Sequence, residues 1–141
     1  MFFVVMNMRF NKLIPELSVS DIKASKRFYT EILGFSIEYE REEDKFAFLS
    51  LREAQLMINQ INGHWETGRL EYPLGRGINF QIDIGNIDEI VAKIKDNGIT
   101  PFKDIFVSRY KCDGVTYVEK EVLIQDPDGY LLRFSETQSE Q

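Results

Sequence analysis

Two stretches of this chain share one pattern. Val19-Ser20-Asp21-Ile22 opens a helical run that closes on Leu33-Gly34-Phe35, and Ile84-Gly85-Asn86-Ile87 opens another that closes on Asn97-Gly98-Ile99. Asp21 to Gly34 spans 13 residues and Asn86 to Gly98 spans 12. Asp21 or Ser20 caps the first helix and Asn86 the second, because their side-chain oxygens take up free N–H groups of the first turn. Gly34 and Gly98 end them as left-handed C′ residues. Each run is preceded by one strand-like segment and followed by three. The constraint is therefore an α+β fold of two βαβββ modules. Each sheet has one face covered by its helix and one open face. Two such sheets pair into a curved, half-barrel mixed sheet whose concave side is a natural cleft.

The segments between the repeats follow the same logic. Residues 13–19 read as a strand in which Pro15 favours an edge or first-paired position. Ile22, Ser25, Phe28, Tyr29, Ile32 and Leu33 recur at helical spacing. Phe35 to Glu40, Phe46 to Leu51 and Leu56 to Ile58 complete the first module, with turns at Glu42-Glu43-Asp44 and Arg52-Glu53-Ala54. Residues 59–77 are polar and loop-like. Ile78 to Ile84 alternates as a half-buried strand should. Ile87, Ile90, Val91 and Ile94 form the second apolar helical stripe. Phe102 to Val107 and Tyr117 to Ile124 read as strands, and Tyr110 falls in the loop before the latter. Asp126-Pro127-Asp128-Gly129 is a strong turn, since Pro presets φ and Gly accepts a positive one. Tyr130 to Phe134 closes the second module. The expected domain covers 8–135, with module 1 at about 12–60 and module 2 at about 76–135. An apolar overhang at 1–7 precedes it, with Met6 and Met8 as alternative starts to Met1, and a polar tail at 136–141 is expected to fray.

Composition narrows the chemistry. The lone Cys112 excludes an intramolecular disulfide and thiolate zinc clusters, and the lone His64 excludes any site that needs two imidazoles. His64 sits in a polar, Gly-flanked stretch and reads as a loop residue. With 17 Lys+Arg against 23 Asp+Glu, the formal net charge is −6. No basic run suggests nucleic acid or an anionic membrane as a partner. The acidic surface favours cationic ligands or serves solubility alone. No apolar run has the length of a membrane helix. The apolar N-terminus is too short for a signal segment, so a cytoplasmic location is expected. Eleven Phe, six Tyr and one Trp are a heavy aromatic load, in which some rings line a pocket.

Four blocks resemble the glyoxalase / bleomycin-resistance / extradiol-dioxygenase (vicinal oxygen chelate) superfamily. They are residues 13–21 (Leu-Ile-Pro-Glu-Leu-Ser-Val-Ser-Asp), Arg27-Phe28-Tyr29 with Leu33-Gly34-Phe35, residues 75–82 (Gly-Arg-Gly-Ile-Asn-Phe-Gln-Ile), and residues 125–134 (Gln-Asp-Pro-Asp-Gly-Tyr-Leu-Leu-Arg-Phe). The first and third blocks point to the bleomycin-resistance branch. The resemblance implies a homodimer that sequesters a cationic glycopeptide antibiotic without enzymatic turnover. Metal-using members hold the ion with His, Gln or Glu on the inward faces of the first and last strands of the modules. Those positions carry Ile14, Asn79 and Arg133 here. An aliphatic chain cannot coordinate, and a guanidinium repels a cation. The expected site therefore holds no metal and no cofactor.

The ligand-binding residues implied are Phe46, Phe48, Trp65, Asn79, Tyr110, Tyr117, Glu119 and Arg133. Phe46 and Phe48 share one strand face and either line the cleft or pack beneath the helix. Trp65 lies over the cleft, over a partner subunit, or packs locally. The branch often shows Trp-Tyr where this chain has Arg109-Tyr110, which removes one stacking ring that Tyr117 can replace. Glu119 and Glu121 either face a cationic ligand or point to solvent. Arg133 either donates to a ligand carbonyl or carboxylate, or pairs with Glu16 or Glu121. The alternative reading is a metal-dependent lyase, isomerase or dioxygenase with shifted ligands, drawn from His64, Glu16, Asp83 and Glu121. A third is a scaffold or immunity-type module meeting a protein partner.

Overall fold

The computed structural model describes residues 9–140; the overhang, its alternative starts and Gln141 lie outside the described residues. The chain divides between Tyr72 and Pro73 into two compact units. Each is a four-stranded mixed sheet with one helix, as the α+β duplication predicts.

The N-terminal unit contains β1 (Glu16–Val19), α1 (Ile22–Arg27) running into a π turn (Phe28–Ile32), β2 (Ser36–Arg41), β3 (Phe46–Leu51) and β4 (Ala54–Gln60). The strand order is β1-β4-β3-β2, with β1 parallel to β4 and the other pairs antiparallel. The first strand is shorter than its sequence suggests. Pro15 precedes it and has no N–H to donate, though its carbonyl accepts from Met57 N at 2.8 Å. The Asp21 carboxylate accepts from Lys23 and Ala24 N–H at 3.0 and 3.3 Å, and Gly34 leaves the helix at φ 86°.

Alternation sorts the two faces of this sheet. The Gln60 side chain accepts from Ile22 N–H, and Lys26 pairs with Glu40 at 2.8 Å. The helix therefore lies on the face that carries Gln60, Ile58, Ala47 and Glu40. Leu17, Val19, Leu49 and Leu56 complete that apolar layer and are buried. Tyr39, Phe46, Phe48, Met57 and Asn59 fall on the opposite face by register.

The C-terminal unit contains β5 (Asn79–Asp83), α2 (Asp88–Asp96), β6 (Lys103–Cys112), β7 (Val115–Gln125) and β8 (Leu131–Glu140). Its order, β5-β8-β7-β6, repeats that of the first unit. Asn86 Oδ1 accepts from Asp88 N–H at 2.9 Å, and Gly98 ends α2 at φ 71°. Ile87, Ile90, Val91 and Ile94 are buried with Ile82, Val122, Ile124, Leu132 and Phe134. Lys120 reaches Asp88 at 3.2 Å, which places α2 on that same face.

Two expectations for this unit need correction. The chain does not fray after Ser135, because β8 continues to Glu140 paired with β7 as far as Thr116. Tyr110 is not in a loop, because β6 runs on to Cys112. Asp113 and Gly114, at φ 52° and 79°, form the two-residue hairpin turn that returns the chain into β7. Among the described residues no helix is long and apolar enough to cross a membrane.

Candidate functional site

Each sheet leaves one face away from its helix, and the expected site residues other than Trp65 fall on those faces. In the N-terminal unit, Phe46 and Phe48 take the helix-free face and are themselves well covered. Phe48 stacks on Tyr39 with ring centroids 5.4 Å apart and meets Phe10 edge-on at 5.4 Å. Phe46 lies tilted against Tyr39 and beneath the Arg41 guanidinium, 4.1 Å from its centroid. Beside Phe46 opens a cavity of about 680 Å³, whose wall includes Tyr39, Arg41, Met57, Asn59, His64 and Trp65.

Trp65 is 61% exposed and rides on a short loop whose shape is set by one carboxylate. Glu66 accepts from the N–H groups of Asn62, Gly63 and Trp65 at 2.9–3.1 Å. Those backbone hydrogen bonds, that of Gly63 foremost, lower the Glu66 pKa below its ordinary value. The loop thus presents Trp65 and His64 beside the aromatic face rather than packing them into the core.

In the C-terminal unit, Asn79, Gln81, Tyr110, Tyr117, Glu119, Glu121, Arg133 and Ser135 share the face opposite α2 by register. Arg133 is the hub. Its Nε donates to Glu121 Oε1 at 2.8 Å, one terminal nitrogen donates to Asn79 Oδ1 at 3.2 Å, and the other lies 3.8 Å from Glu119. Gln81 donates to Glu119 at 3.0 Å. Of the two pairings open to Arg133, the one with Glu121 forms. Glu119 and Glu121 are buried rather than solvent-facing.

Their titration differs for physical reasons. Burial and the adjacent Glu121 carboxylate raise the Glu119 pKa. Burial also opposes charge on Glu121, but its hydrogen bonds to Arg133 and Glu119 outweigh it and lower that pKa. The Glu121 hydrogen bond raises Arg133 further above its already high value. Tyr110 and Tyr117 face each other across β6 and β7 and stack at 5.6 Å, so the two rings form one platform on this polar face.

The metal frame of the resemblance can be tested on this geometry. Asn79 and Arg133 are in contact, and the only oxygen Asn79 offers already accepts from the guanidinium. Ile14 precedes β1 and has no donor atom. These residues do not fit a divalent cation. Glu16 and His64 line the N-terminal cavity, while Asp83 accepts from Gly85 N–H and Glu121 is held by Arg133. Among the described residues no three His, Cys, Asp or Glu side chains stand together as a metal set.

Several residues of these faces were not singled out from the sequence. Gln81 and Ser135 follow from two-residue alternation with Asn79 and Arg133. Tyr39 and Asn59 follow in the same way once β2–β4 are in register. The Tyr110–Tyr117 pairing was announced by Asp113-Gly114, a hairpin signal that sets the two rings opposite each other.

Comparisons with known proteins agree with this architecture. The family profile described as the Glyoxalase/Bleomycin resistance protein/Dioxygenase superfamily matches residues 9–134. A bleomycin resistance protein of Geobacillus stearothermophilus is 29% identical over 134 residues, covering 86% of this chain and 92% of that protein. A probable lactoylglutathione lyase of Synechocystis is 26% identical over 129 residues, covering 87% of this chain and 92% of that protein. Among solved structures, a virulence protein of Salmonella typhimurium superposes with a TM-score of 0.64 at 23% identity, covering 92% of this chain and 98% of that one.

Proposed function

Since the chain belongs to the glyoxalase/bleomycin resistance protein/dioxygenase superfamily, we propose that it is a non-enzymatic small-molecule binding protein of the bleomycin-resistance type. On this reading it sequesters a cationic glycopeptide antibiotic. The observation that carries the reading is Arg133. A guanidinium bonded to Glu121 and Asn79 stands where the family's enzymes keep a metal-binding carboxylate. A guanidinium fixed at that point cannot ligate a divalent metal ion and leaves a polar, ring-flanked surface suited to holding a ligand.

Three further features support it. The net charge of −6 draws a cationic ligand. The Tyr110–Tyr117 platform and the exposed Trp65 offer rings for stacking. The named bleomycin resistance relative extends over most of the chain. A cytoplasmic homodimer belongs to the same proposal, with Phe46, Phe48, Trp65, Asn79, Tyr110, Tyr117, Glu119 and Arg133 as its ligand-binding residues. The test is titration with metal-free bleomycin, followed by Trp65 fluorescence and by calorimetry. Saturable heat with a change in Trp65 emission supports the proposal. No heat and no quench at high micromolar drug refutes it.

The lyase-like relative favours a second reading, a metal-dependent enzyme with ligands outside the expected frame. Stoichiometric Ni, Zn, Mn or Fe in protein purified without chelator, together with isomerisation of the hemithioacetal of methylglyoxal and glutathione, would establish it over the first.

A further inference from the structure

Asn59 combines two properties that rarely coexist. It is 3% exposed, and neither its Oδ1 nor its Nδ2 has a hydrogen-bond partner among the described residues. Buried side-chain amides are nearly always bonded, because stripping water from a donor and an acceptor without replacement is costly. Asn59 also forms part of the wall of the cavity in the N-terminal unit. It sits on the helix-free face of β4, opposite Phe46 on β3 and Ser18 on β1. Two polar neighbours are engaged elsewhere: Arg41 pairs with Asp44 at 3.1 Å, and Gln60 caps α1.

We infer that Asn59 is a recognition group of this cavity. The class it takes is a neutral planar head that carries donor and acceptor side by side, such as a primary carboxamide or a urea, on an aromatic body. The inference rests on the small-molecule reading above and names the chemistry of one part of the ligand. The argument is one of matching. A carboxylate satisfies Nδ2 and sets an anion against Oδ1. An ammonium satisfies Oδ1 and leaves Nδ2 unmet. Of these three classes, the amide-like edge alone satisfies both atoms. Phe46, Tyr39 and Trp65 line the same cavity and supply apolar faces for the body of such a ligand. Phe46 separates Asn59 from Arg41, and Met57, two residues before Asn59 on the same strand face, is the flexible neighbour whose movement the proposed binding requires.

The probe is benzamide, with benzoate and benzylamine as matched anion and cation. Binding is read from the side-chain amide resonance of Asn59 in ¹⁵N spectra, identified by its loss in Asn59→Leu, and from Trp65 emission. Benzamide should shift the Asn59 resonance saturably. Benzoate and benzylamine should bind at least tenfold more weakly. Asn59→Leu, which removes the unmet polar atoms and keeps the same side-chain branching, should weaken benzamide at least tenfold while raising the urea midpoint. Equal binding of the three probes by the wild-type protein overturns the inference, whether or not the variant folds. So does benzamide binding that leaves the Asn59 resonance unmoved, or a folded Asn59→Leu protein with unchanged benzamide affinity. Bleomycin titrated in parallel separates the two readings. Bleomycin binding without a benzamide response removes the Asn59 assignment alone, and a benzamide response without bleomycin binding removes the drug reading alone.

Discussion

Arg133 and Glu121 form a near-buried ion pair at 2.8 Å, with the Glu121 side chain only 4% exposed. They are not directly opposite. Glu121 is in register with Ser135 and Arg133 with Leu123, so the pair is diagonal across β7 and β8. Diagonal neighbours are within reach only of long side chains, and the guanidinium spans that gap. Removing one partner of such a pair leaves an uncompensated charge. Arg133→Met should lower stability by about 3–5 kcal/mol at neutral pH. Urea unfolding measures this, and the deficit should shrink as pH falls and the stranded carboxylates take up protons. Arg133→Lys keeps the charge but loses the second bond to Asn79, so it should lie between wild type and Arg133→Met.

Glu119 and Glu121 make opposite contributions to pH dependence. The Glu121 pKa is lowered, so its share of stability is present above the unfolded carboxyl value and lost as pH falls through the folded one. The Glu119 pKa is raised above its ordinary value of 4.5, so its share is present below that value and lost as pH rises through the folded one. Glu119→Gln removes the second effect, keeps an amide N–H that can donate to Glu121, and retains an oxygen that can accept from Gln81. The variant should therefore gain on wild type as pH rises from about 4 to about 7. Urea midpoints at a series of pH values test this. A difference that is flat, or that shrinks with rising pH, contradicts the assignment of the raised pKa to Glu119.

The duplicated helices were legible because caps and apolar spacing are local. Asp21, Gly34 and Gly98 act where expected, while Asn86 falls one residue before the N-cap Ile87 and accepts from Asp88 N–H from there. What was not legible depends on partners distant in sequence. Phe28 to Ile32 widens into a π turn, in which Leu33 N–H bonds the Phe28 carbonyl at 3.1 Å while the Thr30 hydroxyl donates to the Lys26 carbonyl. A side chain competing for a helix carbonyl is not visible as periodicity. β6 was read too short because its C-terminal half, Ser108 to Cys112, is polar and exposed; β7 holds it in place through the backbone. Arg133 had two acceptors open to it, since the choice of Glu121 needed the register of β7 against β8. The Asn59 carboxamide had no signal at all, because a missing partner is a three-dimensional fact.

Gly75 and Gly77 allow close packing to be separated from backbone strain. Both have positive φ, 71° and 88°, but a Cβ on Gly75 would come within 2.5 Å of Tyr130 Cδ1, while one on Gly77 meets nothing within 4 Å. Gly77→Ala should cost about 1–2 kcal/mol from left-handed strain alone. Gly75→Ala should cost a further ~1–3 kcal/mol, because the Tyr130 ring must shift. Thermal and urea unfolding of the two variants should give that order. Equal losses would show that the Tyr130 ring yields freely.

Ser25 offers a stabilising change. It is fully buried on α1, and its hydroxyl has no hydrogen-bond partner among the described residues. Ser25→Ala removes the unmet oxygen and substitutes a better helix former, so it should raise stability by about 1 kcal/mol. The urea midpoint should rise with its slope unchanged. A fall would mean that the hydroxyl is satisfied by an ordered water.

Glu66 links loop geometry to ligand uptake. Its carboxylate gathers three backbone N–H groups around Trp65 and lies on the surface, so its loss should disturb the loop and little else. Glu66→Ala should leave the unfolding midpoint nearly unchanged while broadening the Trp65 emission and lowering its anisotropy. If Trp65 stacks on the ligand in the proposed binding role, an unfixed loop must be ordered on binding, and ordering a rotamer-rich segment weakens association. Bleomycin affinity should then fall by roughly three- to tenfold, mostly through faster dissociation. Glu66→Gln keeps one acceptor oxygen and should fall between Glu66→Ala and wild type. Loop disorder with unchanged affinity would place Trp65 outside the binding surface and leave the Tyr110–Tyr117 platform as the stacking element.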